Sequence, residues 1–145
     1  MRDFICNDER ETRALAHKLA PLVQVGDVIS LKGNLGAGKS FLTRELIRYF
    51  LPEENVPSPT FTLLQTYEIE NGTLYHFDLY RLENAEEVYE LGLDDALTDG
   101  ISFIEWPERI DGLLPSGKLS TIEIEATGEY SRNIRITGLL SERLC

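Results

Sequence analysis

The apolar positions along the chain fall into short runs of two kinds, and their spacing predicts an α/β protein. Leu15, Leu19 and Leu22 recur at intervals of three and four residues, the spacing that lines up one face of a helix. Asp8 precedes them as an N-cap and Glu11 follows as its capping-box acid, so a first helix is predicted from about Asp8 to Leu22. Asp27-Val28-Ile29-Ser30-Leu31-Lys32 is short and β-branched, which reads as a buried strand. Leu42, Leu46, Ile47 and Phe50 mark the inner face of a second helix, which Leu51-Pro52 ends.

Past that helix the period changes. Val56-Pro57-Ser58-Pro59 is loop, because its prolines remove ladder donors and hold the chain extended. A strand is predicted from Phe61 through Tyr67, a hairpin turn at Glu70-Asn71-Gly72, and a partner strand from Thr73 to Leu79. Asn84 to Leu97 reads as one or two short helices broken near Gly92, and Ile101-Ser102-Phe103-Ile104 as another buried strand. Lys118 to Ala126 and Tyr130 to Thr137 alternate about Thr127-Gly128-Glu129 and predict a second hairpin. No repeat or linker interrupts the sequence, so residues 1–145 are expected to form one α/β domain with a mixed central sheet.

Composition narrows the classes. The hydrophobic fraction of 42% is ordinary, and 145 residues suffice to bury roughly 68–70% of the unfolded surface without a disulfide or metal staple. Cys6 and Cys145 lack metal-type spacing and are expected to be free thiols. No apolar run reaches the roughly 18 residues of a membrane span, and the opening residues lack a secretory pattern, which makes the cytoplasm the expected location. The net charge is −11. Such a surface repels phosphate backbones, so a nucleic acid is expected only through a partner.

Nucleotide phosphates are a different matter, since backbone amides bind them without net positive charge. Gly33-Asn34-Leu35-Gly36-Ala37-Gly38-Lys39-Ser40 matches the G-x-x-x-x-G-K-[ST] pattern in full, between a predicted strand and an amphipathic helix. The glycines let the loop wrap an anion, the helix N-terminus adds its dipole, Lys39 reaches the β- and γ-phosphates, and the Ser40 hydroxyl meets Mg²⁺. Phe41, next in sequence, joins the expected nucleotide contacts. The fold expectation sharpens to a P-loop NTPase-like three-layer sandwich with flanking helices.

A P-loop site needs a second carboxylate near the metal. Glu105 ends the Ile101–Ile104 run and fits; Asp78, ending the other strand, is its rival. Trp106, beside Glu105, is either core or a lid that stacks on the nucleotide. His76, Asp78 and Tyr80 alternate with Phe77 and Leu79, so they are expected to share one face as a site wall. His17 has no visible partner and reads as surface. Thr60 and Thr62, about twenty residues past Ser40, sit where a switch loop would sense the γ-phosphate. The strings D-x-x-G and N-K-x-D, expected of a GTPase, are absent, which favours ATP. No arginine-rich lid or substrate insertion is visible, which disfavours a small-molecule kinase. A binding module switched by nucleotide is the third alternative.

Taken together, Gly33–Ser40, Ser58-Pro59-Thr60-Phe61-Thr62, His76-Phe77-Asp78-Leu79-Tyr80-Arg81-Leu82, Glu90-Leu91-Gly92 and Glu105-Trp106-Pro107 resemble, in order and spacing, the TsaE (YjeE) family of bacterial P-loop ATPases. The resemblance covers nearly the whole chain. It implies a role in N6-threonylcarbamoyladenosine formation at position 37 of tRNAs that read ANN codons, with ATP hydrolysis resetting a TsaD–TsaB complex between turnovers. It also implies Lys39 and Ser40 on phosphate and Mg²⁺, Glu105 as second metal ligand, Asp78 as a catalytic or metal-shell carboxylate, and Trp106 as a nucleotide or partner sensor. Thr12 and Arg132 fall near the base or ribose. Ser40 stands where many members carry threonine, and either hydroxyl serves Mg²⁺.

Overall fold

The computed structural model describes residues 1–34, 36–51, 63–70, 72–110 and 112–144. Asp8 caps the first helix, α1 (Glu9–Leu19), by accepting from the Glu11 amide at 3.0 Å. The Glu11 carboxylate returns to the Asn7 amide, one residue earlier than a capping box requires. A short 3₁₀ turn, Ala20–Leu22, carries the chain into β2 (Val28–Lys32), whose first four residues are buried. The glycine-rich loop then leads into α2 (Lys39–Phe50), which buries Leu42, Leu46 and Ile47. Its helix partner is α1, and Arg13 of α1 donates to the buried Glu45 of α2 at 3.1 Å.

Downstream, β3 (Leu64–Ile69) and β4 (Gly72–Asp78) form the predicted hairpin. Helices α3 (Glu87–Glu90) and α4 (Leu93–Asp99) follow, separated at Gly92, which takes a φ of 97° as the α4 N-cap. The fully buried β5 (Gly100–Glu105) comes next, then β6 (Leu119–Ala126) and β7 (Arg132–Gly138) as the second hairpin. Two elements were not legible as such: β1 (Arg2–Cys6), which pairs antiparallel with β7, and α5 (Leu139–Arg143).

Among the described residues the strands form one seven-stranded sheet in the order β1-β7-β6-β2-β5-β4-β3. The central pairs β6–β2, β2–β5 and β5–β4 are parallel, and the hairpins at the margins are antiparallel. Apolar cores lie on both faces. One joins α1, α2 and α5 to Ile29, Leu31, Phe103 and Ile122; the other joins α3 and α4 to Val28, Phe77 and Ile104. This is the expected three-layer α/β sandwich with a mixed sheet. Its important consequence is that β2, β5 and β4 run side by side in one direction. Their carboxyl ends therefore open together at one edge, the place where doubly wound sheets bind ligands.

Candidate nucleotide and metal site

Gly33 follows β2 and turns the chain so tightly that a Cβ there would lie 2.7 Å from the Ile124 carbonyl oxygen. Gly38 has φ 106° and forms the N-cap of α2, a residue with no side chain to cap the first-turn amides. An uncapped helix N-terminus presents those amides, and the positive end of the helix dipole, to an anion. Leu35 lies outside the described residues; Asn34, Gly36 and Ala37 complete the loop around it, with the Ala37 amide donating to the Asn34 carbonyl at 3.0 Å.

Lys39 begins α2 and is 5% exposed. Its ammonium donates to the Gly33 carbonyl at 2.5 Å and sits 3.3 Å above the centre of the Trp106 ring. Burial lowers its pKa, and Glu105, Glu108 and Asp78 oppose that shift. Trp106 in turn lies against Tyr80, with ring centres 4.9 Å apart, and Arg109 lies over Tyr80. Trp106 has φ 61°, a left-handed conformation that costs a side-chain-bearing residue about 1–2 kcal/mol and that concentrates at functional sites.

The rivalry between Glu105 and Asp78 dissolves in the topology. They are register partners at the ends of β5 and β4, so both reach the site. Glu105 is 2% exposed and engaged at both oxygens: the Ser40 hydroxyl donates to Oε1 at 2.9 Å, and His76 Nε2 meets Oε2 at 2.5 Å. Asp78 accepts from the Tyr80 amide at 3.2 Å. Burial raises its pKa first, and repulsion from Glu105 adds to the rise, against the Tyr80 bond, His76 and Lys39.

The expected site wall needs correction at one position. His76 and Asp78 share a face, but β4 ends at Asp78, so Tyr80 lies in the turn beyond it and packs on Trp106 instead. His17 is a surface residue as expected, 44% exposed at its side chain, yet it has a partner in Glu45 at 3.5 Å. Thr60 and Thr62 lie outside the described residues, as does Cys145; Cys6 is a buried free thiol.

Beside the loop, a recess is lined by Thr12, Phe41, Arg132, Gly38, Glu9 and Tyr130. The first three were singled out from the sequence, and the fold gathers them from α1, α2 and β7. Tyr130, 55% exposed, and Glu9 were missed, since neither has a local pattern that marks it. Arg132 braces the loop: its Nε donates to the Ala37 carbonyl at 2.7 Å and its Nη1 to the Ser131 carbonyl at 2.8 Å.

The donor set fits Mg²⁺. A hydroxyl and a carboxylate oxygen already in contact are hard ligands, and this ion takes one or two protein oxygens plus substrate phosphates. The described residues offer no cluster of three His, Cys, Asp or Glu side chains that could hold a metal ion.

The chain is similar to known proteins over most of its length. Residues 6–134 match the family described as "Threonylcarbamoyl adenosine biosynthesis protein TsaE". A Rickettsia bellii protein named tRNA threonylcarbamoyladenosine biosynthesis protein TsaE is 48% identical over 134 residues, 92% of each chain. The Bacillus subtilis protein of that name is 37% identical over 138 residues, 93% of this chain and 85% of its relative. The crystal structure of Bacillus subtilis YdiB superposes with a TM-score of 0.79 at 29% identity, covering 99% of this chain and 93% of that one.

Proposed function

The chain belongs to the TsaE family of threonylcarbamoyl adenosine biosynthesis proteins, and on that premise we propose that it is an Mg²⁺-dependent ATPase acting in N6-threonylcarbamoyladenosine formation at position 37 of tRNA. The observation that carries this reading is the contact of Ser40 with Glu105 at the N-terminus of α2, beside Lys39. Two metal-seeking oxygens, a lysine and the first-turn amides of α2 converge there, as phosphoryl chemistry requires.

In this reading the loop amides and Lys39 bind the phosphates, and Ser40 and Glu105 hold Mg²⁺. The ion, when bound, neutralises charge that builds on the phosphate oxygens. Thr12, Phe41, Tyr130 and Arg132 form the nucleoside end of the site. Glu105 has both oxygens committed, to Ser40 and His76, whereas Asp78 keeps an oxygen free of the described hydrogen bonds. Asp78 is also the carboxylate whose proton affinity burial has raised. It is therefore the group that orients the attacking water and accepts its proton. Trp106 covers Lys39 until phosphate takes its place.

The partners are the TsaD and TsaB proteins, and hydrolysis resets their complex between turnovers. With a net charge of −11 the chain leaves tRNA to them. No helix among the described residues is long and apolar enough to cross a membrane. A role in tRNA modification beside these partners places the protein in the cytoplasm. The test is tRNA modification reconstituted with and without this chain under multiple-turnover conditions. Modification is expected to stall near one round without it; equal yields refute the proposal. Rapid phosphoryl transfer to a free metabolite would instead establish a kinase.

A further inference from the structure

His76 is a polar side chain of the core that its surroundings among the described residues only half satisfy. It is 0% exposed on β4, two residues before Asp78, and its Nδ1 is buried without a hydrogen-bond partner. Its register partner on β5 is Phe103, and Glu105 lies two residues further along on the same face, under α2. That diagonal spacing is within reach of long side chains across a sheet.

A carboxylate only accepts hydrogen bonds, so the nitrogen facing Glu105 Oε2 carries the proton. In that tautomer the orphaned atom, Nδ1, presents a lone pair rather than an N–H. A phenylalanine or leucine would fill this slot without the orphaned nitrogen but would leave the buried Glu105 Oε2 without this hydrogen bond. What the imidazole adds is one directed hydrogen bond onto Glu105, and that bond divides the carboxylate. Oε2 is taken, and Oε1 alone faces Ser40.

We infer that His76 is a positioning residue for the divalent cation: by occupying Glu105 Oε2 it fixes the carboxylate so that only Oε1 is offered to metal. Mg²⁺ demands near-ideal octahedral geometry and keeps several of its waters, so a single fixed oxygen suits it better than a swivelling carboxylate. Groups that orient a metal ligand from behind typically change metal affinity 10–100-fold when removed. The inference rests on the Mg²⁺-nucleotide reading given above and specifies how that site is built.

Two variants isolate the hydrogen bond, because both are polar and smaller than the ring. His76→Gln carries its amide nitrogen to about the reach of Nε2; His76→Asn stops at about the reach of Nδ1 and loses the contact. Circular dichroism confirms folding. Mn²⁺ is the probe: its EPR signal counts free ion in the presence of a non-hydrolysable ATP analogue, and a fluorescent ATP analogue in EDTA gives metal-free nucleotide affinity. His76→Asn is expected to weaken Mn²⁺ binding about 10–100-fold, to leave the EDTA affinity unchanged, and to be rescued to within a few fold by His76→Gln. Unchanged Mn²⁺ binding in His76→Asn overturns the inference, as does an equal loss with and without metal, or failure of glutamine to rescue. A parent protein that takes up no Mn²⁺ with nucleotide would overturn the functional reading itself, which separates the two failures.

Discussion

Asp78→Asn is expected to make the ligand-free protein more stable while removing its activity. Asp78 is half-buried and stands opposite Glu105 across paired strands. Asparagine keeps the shape and the Oδ1 acceptor for the Tyr80 amide but carries no charge. Like charges directly opposite destabilise by an amount comparable to a favourable cross-strand pair, roughly 0.2–1 kcal/mol, and relief of burial adds in the same direction. For a chain of this size that is a rise of about 1–4 °C in melting temperature. The pH dependence fixes the cause. The folded pKa of Asp78 lies above 3.8, so the native state holds this proton more tightly than the unfolded chain does. Its contribution to stability is therefore fully present below pH 3.8 and is lost as pH rises through the folded value. The advantage of asparagine should be absent at the acid end and full above neutrality. Thermal melts of both proteins, nucleotide-free and in EDTA across this range, measure it. ATP hydrolysis should fall about 10²–10⁴-fold, the usual worth of a positioned base. A lower melting temperature at pH 7.5, or a gain equally large at the acid end, would refute the reasoning.

Other substitutions probe the frame around the site. Arg143→Met removes the partner of Asp27, which is 2% exposed and receives Arg143 Nη1 at 2.5 Å; a broken buried pair costs about 3–5 kcal/mol, and thermal melts should fall by about 10 °C or more. Gly33→Ala forces a Cβ to within 2.7 Å of the Ile124 carbonyl oxygen; about 1–3 kcal/mol of strain should displace the loop and weaken a fluorescent ATP analogue at least tenfold in an equilibrium titration. Lys39→Met keeps the stem of a 5%-exposed side chain but removes a charge that burial already disfavours. Its melting temperature should match or exceed that of the parent, while nucleotide affinity measured by calorimetry collapses.

The parts of the fold legible in the sequence are those that local physics decides. The strand Val28–Lys32, the glycine loop and the helix to Phe50 each carry a strong short-range pattern, and all three form within a residue or two of their expected limits. β1 escaped because Arg2–Cys6 is a half-exposed edge strand, specified by pairing with β7 some 130 residues away and by the Asp3–Arg135 ion pair. Glu105 and Asp78 were recognisable as strand-end carboxylates, but choosing between them presumes that they compete. Parallel pairing of β4 with β5 places them side by side, and strand order is what short-range patterns do not encode. The left-handed backbone of Trp106 had no signal at all, since nothing but tertiary packing holds a tryptophan at φ 61°. His76 was visible as a polar member of an alternating strand; its partner was not, because Glu105 lies 29 residues on.

The under-satisfied groups of the site also bear on how so acidic a chain would accommodate a polyanion. Net charge governs long-range steering, but binding is decided over a few ångströms, where local partners outweigh the screened field of distant carboxylates. Lys39 is desolvated and rests on an aromatic face and one carbonyl. Asp78 is raised by burial and by Glu105. The first turn of α2 has no side-chain cap. Each is mildly unfavourable in a folded protein without ligand, and on the proposed reading each would be answered by a different part of an Mg²⁺-nucleotide: phosphate oxygens for Lys39 and the helix amides, the cation for the paired carboxylates. Phosphate without metal answers the first and third groups and aggravates the second, by bringing more negative charge toward Asp78 and Glu105. On the proposed reading the site would thus discriminate between free and metal-bound nucleotide by electrostatics. That discrimination follows from placing two carboxylates and one lysine where three parallel strands end.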